Sequence, residues 1–392
     1  MAIQIGVGRE SNIGGREAAT EAIYDALQYI DSQKVSLGMV FASNEYEIGS
    51  VLSGAKNQLG NVPLIGFSTS GEFTSAGRHS RSVVVALMGG EGVEGKAEWV
   101  PDYAADPGRA AQNLSNALGL NAEGHGALFL VADGLGGDGQ TLLQNLAFPG
   151  YQITGCLSGG DPLREFTAQI GGSQTGVGGV SGAILSGGNI KLGIGSAHGW
   201  EPVGANFKVT AIRENWIQSL DGKPSSDQYA ALFGHRPRDW AFPPLNTLVR
   251  LYPLGMEQEN RKSLLIRTPL RIEADGSLRM NTHIEEGSVG HLLVGRADLC
   301  MEAARRAAGD AVKMLGRATA KIALVFVDES WNMLLKGQPG NEIQAVQEVL
   351  GKNIPIAGGY TFGQFAPMNG DPFPSALNQH ITVVLVGEEE NY

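Results

Sequence analysis

Val62 to Phe73 reads VPLIGFSTSGEF, and Ile354 to Phe365 reads IPIAGGYTFGQF. Both place Pro second, Gly fifth, Gly tenth, an acidic or amide residue eleventh and Phe twelfth. A proline within a central ladder would remove a donor, so Pro63 and Pro355 mark strand starts. The glycines that follow let the chain leave the strand sharply and bring its backbone close to something else.

Working outward, the same succession surrounds each of these corners, and repeats govern a fold before single motifs do. In the first copy Ala19, Ile23, Ala26, Leu27 and Ile30 recur at helical spacing within Arg16 to Ile30. A strand at Leu37 to Ala42, a helix around Glu47 to Leu59, the corner, and a strand at Ser82 to Met88 follow. The second copy has helix Gly108 to Leu118, strand Ala127 to Ala132, helix Thr141 to Ala147 stopped by Pro149, the glycine-rich Ile153 to Asp161 (ITGCLSGGD), and strand Ser181 to Leu185. In the third, helix Asp298 to Leu315 carries Leu299, Ala303, Ala307, Ala311 and Leu315 on one stripe. Strand Lys321 to Val327, helix Glu342 to Leu350, the corner and strand Ile381 to Val386 complete it.

The expected fold is therefore mixed α/β: two domains with mixed sheets flanked by helices, built from repeated α-β-α-β-β units. Between the second and third copies lie a glycine-rich tract, Gly171 to Gly195, and a polar stretch, Asp221 to Pro244, whose four prolines make it the linker candidate. The expected domains are 1–226 and 227–392. Strand-like Thr247 to Tyr252, Ser263 to Pro269 and Leu270 to Ile272, with a turn at Asp275-Gly276, open the second.

Composition narrows the function. Hydrophobic residues are 42%, enough for a sizeable core, while 29 basic and 40 acidic residues give a net charge of −11 with no basic run to track phosphates. Nucleic acid and anionic membranes are poor partners. The apolar runs are far shorter than the ~20 residues of a spanning helix, so no membrane insertion is expected. The start, MAIQIGVGRE, lacks the parts of a signal peptide. Two cysteines, Cys156 and Cys300, make neither a disulfide framework nor a thiolate metal site; a reducing cytoplasm fits them.

Several motifs compete for a chemical role. Gly134 to Gly139 satisfies GxGxxG between a strand and a helix, but Asp133 would set a carboxylate beside a pyrophosphate, and a plain glycine loop is the alternative. Gly66 to Gly71 has one glycine spacing too many for the GxSxG elbow. Ser68, Thr69 and Ser70 read as hydroxyl donors to a ligand or as turn residues bonded to local backbone. The seven histidines show no metal-binding spacing. His198-Gly199-Trp200, in HGWEPVG, offers an aromatic wall with a polar tip, or simply a packed tryptophan.

Taken together, VPLIGFSTSGEF, HGWEPVG, Leu220-Asp221-Gly222-Lys223-Pro224 and IPIAGGYTFGQFAP with Leu377-Asn378-Gln379 make a chain that resembles the FIST proteins, with their N-terminal and C-terminal FIST domains, over nearly its whole length. The resemblance implies an intracellular sensory module of signal transduction that binds a small ligand such as an amino acid. It also implies a partner transmitter such as a histidine kinase or a cyclase; one branch of the family binds haem and senses nitric oxide. Carried over by position, it marks Gly66, Ser68, Thr69, Gly71 and Glu72; His198, Gly199 and Trp200; Asp221 to Pro224; and Gly358, Tyr360, Thr361, Gly363, Asn378 and Gln379. This chain departs at Gln364, where the family has an acid; at Leu377, where it often has a histidine; and at Asp328 to Asn332, where it often has Cys-x-x-Arg. No axial haem ligand is assignable.

In the resulting site, corner amides and the hydroxyls of Ser68, Thr69 and Thr361 hold a polar ligand, Trp200 and Tyr360 wall it, and Glu72 receives an ammonium group. Sensing rather than turnover is expected. The rival readings are a hydrolase using Ser68 or Ser158 with His198 as base and Asp133 or Asp161 as orienter, and a scaffold that binds no small molecule.

Overall fold

The structure is a computed structural model, described for residues 3–146, 148, 150–160, 166–187, 189–259, 261–368, 371 and 373–389. Ala147, Pro149 and Asp161, used above, lie outside the described residues.

Each copy builds the same piece of sheet. The first runs β1 (Gln4–Glu10), α1 (Gly15–Ala26), β2 (Val35–Ser43), α2 (Ile48–Leu59), β3 (Leu64–Thr69), the hairpin β4 (Glu72–Thr74) and β5 (Gly77–His79), then β6 (Val83–Gly89). The second runs β7 (Val93–Val100), α3 (Pro107–Leu118), β8 (Gly126–Ala132), α4 (Gly139–Asn145), β9 (Tyr151–Leu157), the hairpin β10 (Gln169–Gly171) and β11 (Gln174–Gly176), then β12 (Val180–Gly187). The third opens with β13 (Ile190–Ala197) and is interrupted. The interruption holds β14 (Trp200–Arg213), β15 (Trp216–Leu220), β16 (Lys223–Pro224), α5 (Ser225–Phe233), α6 (Leu245–Leu248), β17 (Leu254–Gln258), β18 (Arg261–Arg267), β19 (Pro269–Ile272), β20 (Leu278–Met280) and β21 (Val289–Gly295). The third copy resumes with α7 (Ala297–Leu315), β22 (Thr319–Asp328), α8 (Glu329–Leu334), α9 (Asn341–Leu350), β23 (Ile356–Thr361), the hairpin β24 (Gly363–Pro367) and β25 (Pro374–Leu377), and β26 (Ile381–Glu388).

The sheets are ordered β1-β6-β2-β3-β10-β11, β7-β12-β8-β9-β24-β25 and β13-β26-β22-β23-β4-β5. In each, one parallel pair (β2/β3, β8/β9 or β22/β23) is flanked by antiparallel strands. The hairpin after each corner leaves its own copy and completes another: the first copy's joins the third, the second's joins the first, the third's joins the second. This cyclic exchange wraps three sheets around a common core containing Phe41, Phe67, Phe129 and Phe326. The helices cover the outside, where the alanine stripe of α7 (Ala303, Ala307, Ala311) is wholly buried.

The interruption forms an antiparallel sheet, β18-β17-β21-β14-β15-β20-β19 with β16 on β15, around Phe207, Tyr229 and Trp240. Strands from either side of residue 226 share sheets, β13 with β26 and β14 with β21. The architecture is mixed α/β, with mixed sheets flanked by helices, and two-domain. Two local expectations change. Thr247 to Tyr252 is not a strand: it belongs to α6 and a 3-10 turn at Val249–Leu251, because packing of Val249 into this core outweighs β-branched propensity. Asp221 to Pro244 is no bare linker. It contains α5 and a 3-10 turn at Pro237–Ala241, anchored by buried Tyr229 and Trp240.

Candidate functional site

The corners fall at equivalent places. A Cβ on Gly66, Gly155 or Gly358 would lie 2.3, 1.9 and 1.9 Å from the carbonyl oxygens of Val40, Leu130 and Val325, so only glycine lets each parallel pair close. From there Thr69, Ser158 and Thr361 correspond, as do Ser43, Asp133 and Asp328 at the ends of the neighbouring strands.

The three corners meet one another directly. Ser68 Oγ donates to Gly159 O (2.8 Å) and accepts from Ala168 N (2.9 Å); Tyr360 N donates to Gly71 O (3.0 Å) and Phe362 N to Leu157 O (3.1 Å). A Cβ on Gly159 would lie 2.1 Å from Tyr360 O. Convergence thus consumes the hydroxyls expected to hold a ligand. Thr69 Oγ1 donates to Gly71 O, and Thr361 Oγ1 donates to Val327 O while accepting from Gln364 Nε2. Gly363 packs beside Leu377 O and Asn378 Nδ2.

Glu72, Gln169 and Gln364 stand at equivalent places at the head of the three exchanged hairpins and pair with Gly359, Phe67 and Cys156. Glu72 is wholly buried; its Oε2 accepts from Ser82 N (3.1 Å) and Ser82 Oγ (2.6 Å), and desolvation pushes its carboxyl up to about 8. Tyr360 is also wholly buried, its ring against Phe73 (4.7 Å) and beneath Arg78 (5.7 Å), its hydroxyl donating to Glu342.

Beyond the corners lies a cleft between the threefold body and the interrupting sheet. Gly134, Phe362, Asp328, Glu329 and Met333 line it from the body, and Arg250, Thr268, Leu270 and Asn281 from the other side. Asp328 builds its wall: Oδ1 caps α8 through Ser330 N (3.1 Å), and Oδ2 accepts from Gln379 N (2.8 Å). Gln379, at φ 63°, donates through Nε2 to Arg250 O (3.0 Å) and Thr268 Oγ1 (2.9 Å), which ties β26's entry to the interrupting sheet. Asn378 Nδ2 donates to Phe362 O (3.2 Å). Arg250 reaches Leu270 O through Nε (3.1 Å) and lies 5.5 Å over the Phe362 ring.

Glu329 enters the cleft from the first turn of α8. It is buried, accepts from Ser70 Oγ and from Asn332 Nδ2 (3.0 Å), and desolvation raises its carboxyl to about 7 against those two donors. Burial also raises Asp328. The side-chain oxygens of Asn281 and Gln379 have no hydrogen-bond partner among the described residues. Sequence reasoning singled out Asp328 to Asn332 only as a departure, and Arg250 not at all, since docking of a remote sheet leaves no local pattern.

The HGW turn stands behind this wall. Trp200 is buried with its ring 6.0 Å from that of Trp331 on α8, and Trp331 Nε1 donates to Gln379 O (2.9 Å). His198 stacks edge-on to His380 at 5.0 Å and accepts from Trp200 N through Nδ1. Desolvation leads in lowering the pair, to about 4 for His198 and about 3 for His380. Ser68 and His198 are therefore bonded to different partners, and His380 Nδ1 is paired with Asn378 O. Asp133 is occupied too: it accepts from Thr167 Oγ1 (2.6 Å) and, through Oδ2, from Leu135 N (3.1 Å) and Gly136 N (2.8 Å). The amides of Gly134, Leu135 and Gly136, at the head of the glycine loop, are already taken. Both cysteines are buried, and no helix among the described residues is long and apolar enough to cross a membrane.

Comparison with known proteins agrees with the chain's internal order. Residues 36–223 match the model of the FIST N domain and residues 226–367 that of the FIST C domain. No curated protein matches the chain. Among solved structures, a cyanuric acid hydrolase from A. caulinodans is similar at 9% identity and a TM-score of 0.37, over 99% of this chain and 100% of that one. A chorismatase is similar at 9% identity and a TM-score of 0.35, over 99% of each. At those scores the likeness assigns no activity to this chain.

Proposed function

Because the chain belongs to the FIST family, carrying both its N and its C domain, we propose that it is a signal-transduction sensor whose small-ligand site is the cleft at the head of α8. FIST domains are associated with signal-transduction sensory proteins. What carries the reading is that one cleft receives a guanidinium, Arg250, from the 3-10 turn of the interrupting segment and a carboxyl, Glu329, from the body. An amino acid suits that pair: its carboxylate on Arg250, its ammonium on ionised Glu329, and its side chain against Leu270, Met333 and Phe362.

The cleft has room for about one water molecule. Ligand entry must therefore part the interrupting sheet from the body, and a ligand that binds the parted arrangement better shifts the equilibrium towards it. A separate cytoplasmic transmitter, such as a histidine kinase or a cyclase, would read that movement. Glu72 and the hydroxyls of Ser68, Thr69 and Thr361 then act by holding the corners rather than by touching ligand.

A thermal-shift screen of the twenty amino acids tests this, since binding raises the melting temperature by mass action. At least one should stabilise the wild type, and Glu329→Gln and Arg250→Met should each lose the shift. No shift with any amino acid, or full shifts in both variants, would sink the reading.

A further inference from the structure

The three copies break their symmetry at a second place, a groove at the start of β23 whose lining shares no residue with that of the cleft. Each copy has an edge strand facing its own exchanged hairpin: β1 faces β4–β5, and β7 faces β10–β11. The ladders put these strands in register: Gly8 pairs with Val85, and Glu98 with Gly182, while Val85 and Gly182 pair with the equivalent Val40 and Leu130. Arg9 therefore occupies the place of Trp99. The hairpin registers likewise set Thr74 and Ser75 where the second copy has Gly171 and Gly172.

In the second copy this seam is shut. A Cβ on Gly171 would lie 2.4 Å from Glu98 O, and one on Gly172 2.6 Å from Ala97 O, so the hairpin rests on bare backbone. The Trp99 ring covers the rest, 2.3 Å from a Cβ built on Gly176. In the first copy, Thr74 and Ser75 have side chains where the glycines had none, and Ser75 is tied to the third copy through Ile356 N (3.0 Å) and Gln347 Nε2 (2.6 Å). That holds the hairpin off β1. A groove of about 320 Å³ remains, within the size range of small-molecule sites.

Its walls are Ile5, Val7, Tyr29, Pro355 and Ile356, and among the described residues Arg9 is the one charged residue lining it. Arg9 donates through a terminal nitrogen to Ser11 Oγ (3.0 Å), while its Nε is buried and has no partner among the described residues. His79, beside Arg9, hydrogen-bonds Thr74 Oγ1, and burial followed by the Arg9 charge keeps it below its ordinary value. We propose that this groove is a second ligand site, for a small monoanion with an apolar body, its anionic end on Arg9 and its body along Ile5, Val7 and Ile356. In a chain of net charge −11, such a lone cation in an apolar groove favours a monocarboxylate over a cation.

The test is isothermal titration of the full-length protein with octanoate and, separately, with 1-octanol. Octanoate should bind saturably; Arg9→Gln should weaken it by roughly tenfold, the loss of one charge-assisted hydrogen bond, and leave 1-octanol unchanged. Ala76→Trp, at the exposed rim of the groove, should block both, with circular dichroism confirming that each variant is folded. Absence of saturable octanoate binding to the wild type, or wild-type octanoate affinity in either variant, overturns the proposal. The amino-acid response of the cleft is measured independently, so failure at one site leaves the other standing.

Discussion

Ser70, on the turn that closes the first copy's corner, donates its hydroxyl to Glu329 at the head of α8 in the third copy. These residues are far apart in sequence, and their meeting couples the exchanged hairpin to the cleft. A change in Glu329's charge is therefore felt at the corner as well as in the cleft.

Ligand affinity should depend on pH through Glu329. Its carboxyl titrates near 7 in the folded protein, so an ammonium-bearing ligand meets a neutral acid below that value and a carboxylate above it. The apparent Kd of a stabilising amino acid should fall from pH 6 to pH 8 in the wild type. In Glu329→Gln any residual binding should be flat across that range, as calorimetry at each pH would show.

Stability should move in the opposite sense through Glu72. Its pKa is raised from 4.5 to about 8, so its stabilising contribution is fully present below about 4.5 and is lost as pH rises through about 8. Urea midpoints should decline over that window by the equivalent of a few kcal/mol at most. Glu72→Gln keeps an acceptor for Ser82 and should flatten the decline.

Gly159→Ala should fail to fold or be severely destabilised. The added methyl would sit 2.1 Å from Tyr360 O, and main chain on both sides leaves no side chain to move aside. Soluble yield and denaturant midpoint report it; a melting temperature within a degree or two of wild type would refute the packed-corner description.

Trp331→Ala should cost about 3–5 kcal/mol in urea unfolding, because its ring is wholly buried against Trp200 and its Nε1 holds Gln379 O. The amino-acid response should weaken as well, since α8 would lose its support.

Asp133→Asn should destabilise by about 1–3 kcal/mol, since the amide cannot keep every donor that Asp133 accepts from Thr167, Leu135 and Gly136. Ligand response should survive.

How much was legible follows from the range of the forces involved. The periodicity of α1 and α7 was readable because an amphipathic stripe is written within a few turns. The paired Pro and Gly of Val62 to Phe73 and Ile354 to Phe365 were readable because a strand start and a backbone contact each demand one residue type. Thr247 to Tyr252 was misread because burial against Tyr229 and Trp240 overrode local propensity. Glu329 and Arg250 stood out weakly or not at all, since neither has a neighbour in sequence that reveals its place in the cleft.

The sequence by itself determined that three like units exist and that their glycine corners come close to other backbone, because repetition and the lack of a Cβ are properties of the chain. Only the tertiary structure decided which hairpin completes which sheet, that the corner hydroxyls of Ser68, Thr69 and Thr361 are spent on main chain, and that Glu329 and Arg250 line one cleft. Those outcomes depend on contacts between remote segments, whose energies arise only once the three sheets have closed on one another.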